Sequence, residues 1–219
     1  MDFTNVCMLL GAKRPDAITE VHSDILCEYS QCYRYYHNNQ HIDECQVELD
    51  SLDLDDIEKA IISFALYEHD IVILPHELVI LPHAHLSGIH CETLSGYRCS
   101  YDCNRLGIDL TVADKIISLI HATDLKNQEG SQFCTSTKII ADIDISILGK
   151  DFDHVMSRME EGIRLEYFYV PDDVYKIERI KVLKQLLKDG FVYHTPYFRS
   201  KYNQKAVENI KRLISYLGE

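Results

Sequence analysis

The pair His69-Asp70 closes the run Phe64-Ala65-Leu66-Tyr67-Glu68-His69-Asp70. It offers an imidazole nitrogen and a carboxylate oxygen side by side at the end of an apolar helix, a combination that suits a divalent metal ion. The plainer use of such a histidine is a hydrogen bond inside a core, and the pair alone does not separate the two uses. Two other polar groups fall on apolar stripes. His41 shares steps of three and four with Cys45, Leu49 and Leu52, the spacing of one helix face. Asp144 falls with Ile140, Ile147 and Leu148, whereas Asp142 falls nearer Lys138 and Ser146. An acid on a core stripe is costly unless it is paired or bound to a cation, so Asp144 is the candidate ligand of the two.

The elements that must position these groups are helices. Ile57, Ala60, Ile61, Phe64 and Ala65 recur at the period of one buried helix face, and His69 continues it. This predicts a helix from about Leu54 to Asp70, opened by Asp55, Asp56 and Glu58 where the helix dipole favours acids. Before it, helices are expected over Thr4–Gly11, over Thr19–Tyr29 with Ile18, Val21, Ile25 and Leu26 as its stripe, and over Gln40–Leu52. After it, Pro75 and Pro82 forbid a continuous helix. Residues 71–91, which contain His76, His83, His85 and His90, read as a lid or insertion with a small hairpin at Val72–Leu74 and Leu78–Leu81. Further helices are expected over Glu92–Leu106, from a cap at Thr111, over Thr135–Leu148, over 151–169, over Pro171–Asp189 and over Asn203–Leu217. The fold class is therefore all-α. It comprises about nine helices in a single domain over 1–219, with 151–219 as a C-terminal helical extension.

Composition narrows the function classes. The chain has 219 residues, 46 % hydrophobic and 26 % charged, enough for a sizeable core. Its formal net charge of −13 disfavours stable nucleic-acid binding, though a local basic pocket can still hold a small phosphorylated ligand. The first residues lack a signal-peptide pattern and no run approaches a membrane span. The 8 cysteines are dispersed through helical sequence, so reduced thiols and a cytoplasmic location are expected. Cys91, Cys99 and Cys103 with His90 lack the second tight cysteine pair of a structural zinc site.

The order His41 … His69-Asp70 … Asp144 resembles the HD-domain superfamily of helical metal-dependent phosphohydrolases. Flanking motifs bring it nearer to the branch described as predicted metal-dependent HD phosphohydrolases. Arg34-Tyr35-Tyr36-His37-Asn38-Asn39-Gln40-His41-Ile42 is similar to that branch's R-x-Y-H-N-x-x-H-I, and Asp142 to Gly149 to its D-x-D-x-x-I-L-G. Ile163–Tyr167, Arg179–Leu183 and Tyr193–Pro196 follow in the same order, so the likeness spans about Ile18 to Leu217. Two stretches depart from the pattern. Cys91-Glu92-Thr93-Leu94-Ser95-Gly96 stands where the branch carries N-E-x-x-S-A, and Ala122-Thr123-Asp124-Leu125-Lys126 where it carries A-T-K-x-H.

The resemblance implies a metal site of His41, His69, Asp70 and Asp144, holding one or two ions. Mixed nitrogen and oxygen donors suit Mn, Fe, Co, Ni or Zn, and Mg less well. Asp70 is then the natural bridge if two ions bind. Glu68 and Glu92 are candidates for acid–base work or for orienting the ligands; for Glu68 a partly buried structural role is the equal alternative. His37, Arg34, Arg164 and Arg179 are candidate contacts to a substrate phosphate, although Arg164 and Arg179 lie among acids that could pair with them. The activity implied is hydrolysis of a small phosphorylated metabolite, a nucleotide or its derivative. The alternative is a catalytically degenerate HD protein that binds a metal or nucleotide as a sensor or interaction module. A homo-oligomer is compatible with either.

Overall fold

The computed structural model describes residues 1–73, 91–124, 134–188 and 190–218, and among these it contains helices and no strand. In order they are α1 Phe3–Leu9, α2 Pro15–Tyr29, α3 Asn39–Asp50, α4 Asp56–Glu68, α5 Cys91–Leu106, α6 Leu110–Ala122 and α7 Thr135–Asp144. A 3-10 turn, Ser146–Gly149, follows. Helix α8 runs from Phe152–His154 through a π-helical segment, Val155–Glu160, into Glu161–Glu166. Helices α9, Asp172–Leu186, and α10, Pro196–Leu217, complete the chain. The all-α expectation holds. The expected lid falls largely on 74–90 and so, with its four histidines and most of its hairpin, lies outside the described residues. None of the described helices is long and apolar enough to cross a membrane.

The chain divides into two units, one of Met1–Gln31 with His37–Ile140 and one of Cys32–Tyr36 with Ala141–Glu219. The first is built around α4. Asp55 starts that helix by accepting the amides of Ile57 and Glu58 at 3.0 and 2.9 Å. The expected single stripe is too narrow. Ile57 is 49 % exposed, yet burial is continuous from Ile62 to Leu66. Helices α1, α3, α5 and α6 all pack on α4, and a helix enclosed on several sides buries more than one stripe. Leu26, placed on the stripe of α2, is also partly exposed, at 39 %; Ile18, Val21, Ile25 and Tyr29 form the buried face. The cap of α6 is Asp109, which accepts the Thr111 amide at 2.9 Å and its hydroxyl at 2.7 Å, so Thr111 is not the cap the sequence suggested.

In the second unit α10 begins seven residues before the expected Asn203. Thr195 caps it and Pro196 occupies its first position, a favoured arrangement because that position needs no amide donor. Here α10 packs on the Ser146–Gly149 turn. A Cβ on Gly149 would stand 2.4 Å from Tyr202 Cβ, so only glycine allows that approach. The buried Glu160 of α8 accepts the Tyr175 hydroxyl at 2.8 Å and the Arg179 Nε at 2.9 Å, which joins α8 to α9.

Candidate metal centre

Each donor of the site is set by a local feature of its helix. Asn38 caps α3 by accepting the Gln40 amide at 3.1 Å, which puts His41 in the first turn, buried. His69 follows the last residue of α4 and is fully buried. Its Nδ1 lies 2.9 Å from the Leu66 carbonyl oxygen. A carbonyl can only accept, so Nδ1 carries the proton and Nε2 is left to face the cluster. The Asp70 amide donates to the Tyr29 hydroxyl at 3.1 Å, which fixes the backbone beside the donor.

Three histidines converge on one oxygen. Asp70 Oδ2 lies 3.1 Å from His69 Nε2, 3.7 Å from His41 Nε2 and 3.9 Å from His37 Nε2. His41 Nε2 and His69 Nε2 are 3.3 Å apart. Burial opposes ionisation of Asp70, but His69, His37 and His41 outweigh it and hold the carboxyl well below the usual carboxylate range. Within the first unit His41, His69 and Asp70 each offer one ligand atom, and these atoms all lie within 4.8 Å of one another.

This donor set fits a divalent transition ion. Donors about 2.1 Å from one ion stand about 3 Å apart when at right angles, close to the His69–Asp70 and His41–His69 separations. Two nitrogen atoms and a carboxylate oxygen gathered this closely need positive charge between them, supplied by a proton or by a metal ion. Among the described residues no second group of three or more histidine, cysteine or acidic side chains is gathered as closely. Cys99 and Cys103 lie with their sulfur atoms 3.9 Å apart, and all 8 cysteines are free.

The relative burial of the two aspartates on α7 is the reverse of the sequence reading. Asp142 is fully buried; its carboxylate accepts the amides of His194 and Thr195 at 2.6 and 2.7 Å and the Thr195 hydroxyl at 2.7 Å. Asp144 is half-buried. The stripe through Ile147 and Leu148 assumed one continuous helix, but α7 ends at Asp144 and the backbone tightens into the 3-10 turn.

Other sequence candidates have different surroundings. Glu68 is fully buried, and burial first, then Asp102 and Cys103, push its pKa well above the usual range against the pull of Arg98. Neither of its oxygens has a hydrogen-bond partner among the described residues. Glu92 stands in the first turn of α5, and Arg34 is buried. Arg179 pairs with the buried Glu160. Arg164 donates to Asp172 at 3.2 Å and to the Tyr167 carbonyl at 2.8 Å, and lies over the Tyr175 ring. The sequence reading missed Tyr29 as the anchor of Asp70, because nothing in a lone tyrosine at a helix end marks its partner.

No family model, no curated protein and no solved structure matches this chain.

Proposed function

We propose that this chain is a metal-dependent phosphohydrolase that cleaves a small phosphorylated metabolite, a nucleotide or nucleotide derivative. The observation that carries the reading is the His69 Nε2 fixed by the Leu66 carbonyl beside an Asp70 held ionised by three imidazoles. The resemblance of the flanking motifs to the HD phosphohydrolases supplies the reaction class. A bound divalent ion would polarise a phosphoryl oxygen and make water acidic enough to attack at neutral pH. His41, His69, Asp70 and Asp144 would hold it, with Asp70 as bridge if two ions bind. His37, 3.9 Å from Asp70, would hydrogen-bond a phosphoryl oxygen. Arg164 and Arg179 already bind carboxylates of their own unit, so they hold the second unit together and are left out of the substrate contacts.

The second reading is an HD protein that binds a metal or nucleotide without turnover. The departures from the branch motifs at Cys91–Gly96 and Ala122–Lys126 favour it; the one at Gly96 also has a packing reason, since a Cβ there would lie 2.8 Å from His121 Nε2 and 3.2 Å from Ile117 Cγ2. The test is metal content of protein purified without chelator, followed by a screen of nucleotides and phosphate esters with Mn, Ni, Fe, Co, Zn and Mg. About one or two ions per chain with turnover supports the hydrolase. Bound metal with no turnover of any ester supports the sensor. No metal after loading and desalting sinks the hydrolase and leaves only a degenerate scaffold that binds a nucleotide or a partner without metal.

A further inference from the structure

Away from the cluster, the first unit carries a cavity of about 330 Å³ at the junction of α5, α6 and the segment before α2. Its floor is apolar and buried, made by Cys103, Ile108 and Ala113. Its polar side is Lys13, Arg14, Ser100 and Asn104. The two cations are held in place by their backbone. Lys13 and Arg14 both donate their amides to the Leu106 carbonyl, at 2.9 and 3.1 Å. Gly107, at φ +71°, permits this approach, since a Cβ on it would lie 3.1 Å from Lys13 Cβ and 3.7 Å from Arg14 Cγ.

The chain has 35 acidic and 22 basic residues, and several of its arginines are already engaged with acids. Arg98, Arg105, Arg164 and Arg179 each pair with a carboxylate. Neither Lys13 nor Arg14 joins an ion pair among the described residues. Asp109 is the acid that feels Lys13, and its Oδ1 already accepts twice from Thr111. The side chains of Ser100 and Asn104 likewise make no hydrogen bond among the described residues. An ammonium, a guanidinium, a hydroxyl and a carboxamide thus stand at one rim with open donors, over an apolar floor.

We infer that this cavity is a second ligand site, for a small organic phosphate whose anionic group meets Lys13 and Arg14 and whose apolar body lies on Ile108 and Ala113. Guanidinium and ammonium donors match phosphate oxygens, and the volume is at the small end of ligand pockets. The site shares no residue with the metal cluster and does not depend on the hydrolase reading.

The test is titration of the full chain with phenyl phosphate in EDTA, followed by amide chemical shifts, so that a metal centre cannot hold the probe. The expected result is saturable shifts at Cys103–Ala113 and around Lys13. Affinity should fall at least tenfold in the exposed double variant Lys13→Gln/Arg14→Gln and in Ser100→Glu, which sets a negative charge on the rim. Phenol, the same body without the phosphate, should bind at least tenfold more weakly than phenyl phosphate. Absence of saturable shifts, shifts at His41 and His69 instead, or equal affinity in the folded variants would overturn the assignment.

Discussion

The backbone amide of Asp70 donates to the hydroxyl of Tyr29 at 3.1 Å, and so ties the end of α4 to the end of α2. The contact acts on a donor of the candidate centre without itself being a ligand. Groups in that position typically change metal affinity 10- to 100-fold when removed, a range of order of magnitude only. Tyr29→Phe should therefore weaken metal binding by about tenfold in competition with a chelator. Its thermal midpoint should move little, because the ring still fills its buried place. Unchanged affinity would show that the hydroxyl does not position Asp70.

Metal removal should be visible in stability. An ion present at about 100 times its Kd adds roughly 2.7 kcal/mol to the folded state, and each kcal/mol moves the midpoint of a chain this size by about 2–4 °C. EDTA should lower the midpoint of the wild type by several degrees. Asp144→Asn, which replaces an anionic donor by a neutral one, should show a much smaller difference with and without EDTA. Equal EDTA effects in both proteins would remove Asp144 from the ligand set.

Gly149→Ala should be among the most damaging small substitutions in the second unit. The new methyl would meet Tyr202 Cβ at 2.4 Å and Cγ at 2.6 Å. Those atoms sit at the root of the side chain and cannot swing away, so the turn or α10 must shift. Overpacking of this kind costs about 1–3 kcal/mol, measurable by urea unfolding. A loss below about 0.5 kcal/mol would mean the turn has slack that the geometry does not suggest.

Alkaline pH should act through Cys7. Burial, then Cys103 and Glu68, push its thiol up to about 12 from 9.0. In the unfolded chain the thiol ionises near its ordinary value, so the unfolded state binds fewer protons across that window. The contribution is fully present below pH 9.0 and is lost as pH rises toward about 12, at up to about 1.4 kcal/mol per pH unit. Cys7→Ala should be less stable at pH 8 because of the cavity, but its stability should fall less steeply between pH 9 and pH 11. Parallel slopes for the two proteins would contradict the assignment.

The sequence reveals His41, His69 and the helical class because their signal is periodic and their helices are regular. It misplaces residues wherever regularity ends. Asp142 and Asp144 exchange their expected burial because α7 stops at Asp144. Ile57 leaves the core because α4 is enclosed further along its length. The start of α10 at Pro196 was legible in Thr195-Pro196, but Tyr193-His194-Thr195 reads locally as a connection. The partners of Arg164 and Arg179 are set by the packing of the second unit, which local sequence does not encode.

The π-helical segment Val155–Glu160 gives chain length a meaning that composition does not carry. Arg158 uses this stretch to donate to the carbonyls of Tyr35 and Tyr36 at 3.1 and 3.0 Å, while Glu160, two residues on, holds Tyr175 and Arg179. Such segments arise where a helix carries one extra residue. Deleting one residue there would let it rewind as a regular α-helix and turn one side of the stretch by about 100° against the other. One of the two sets of contacts would be lost although every remaining side chain is unchanged. In this stretch a deletion is therefore a harsher change than a conservative substitution, because the number of residues between His154 and Glu161 sets which side chains face each set of partners.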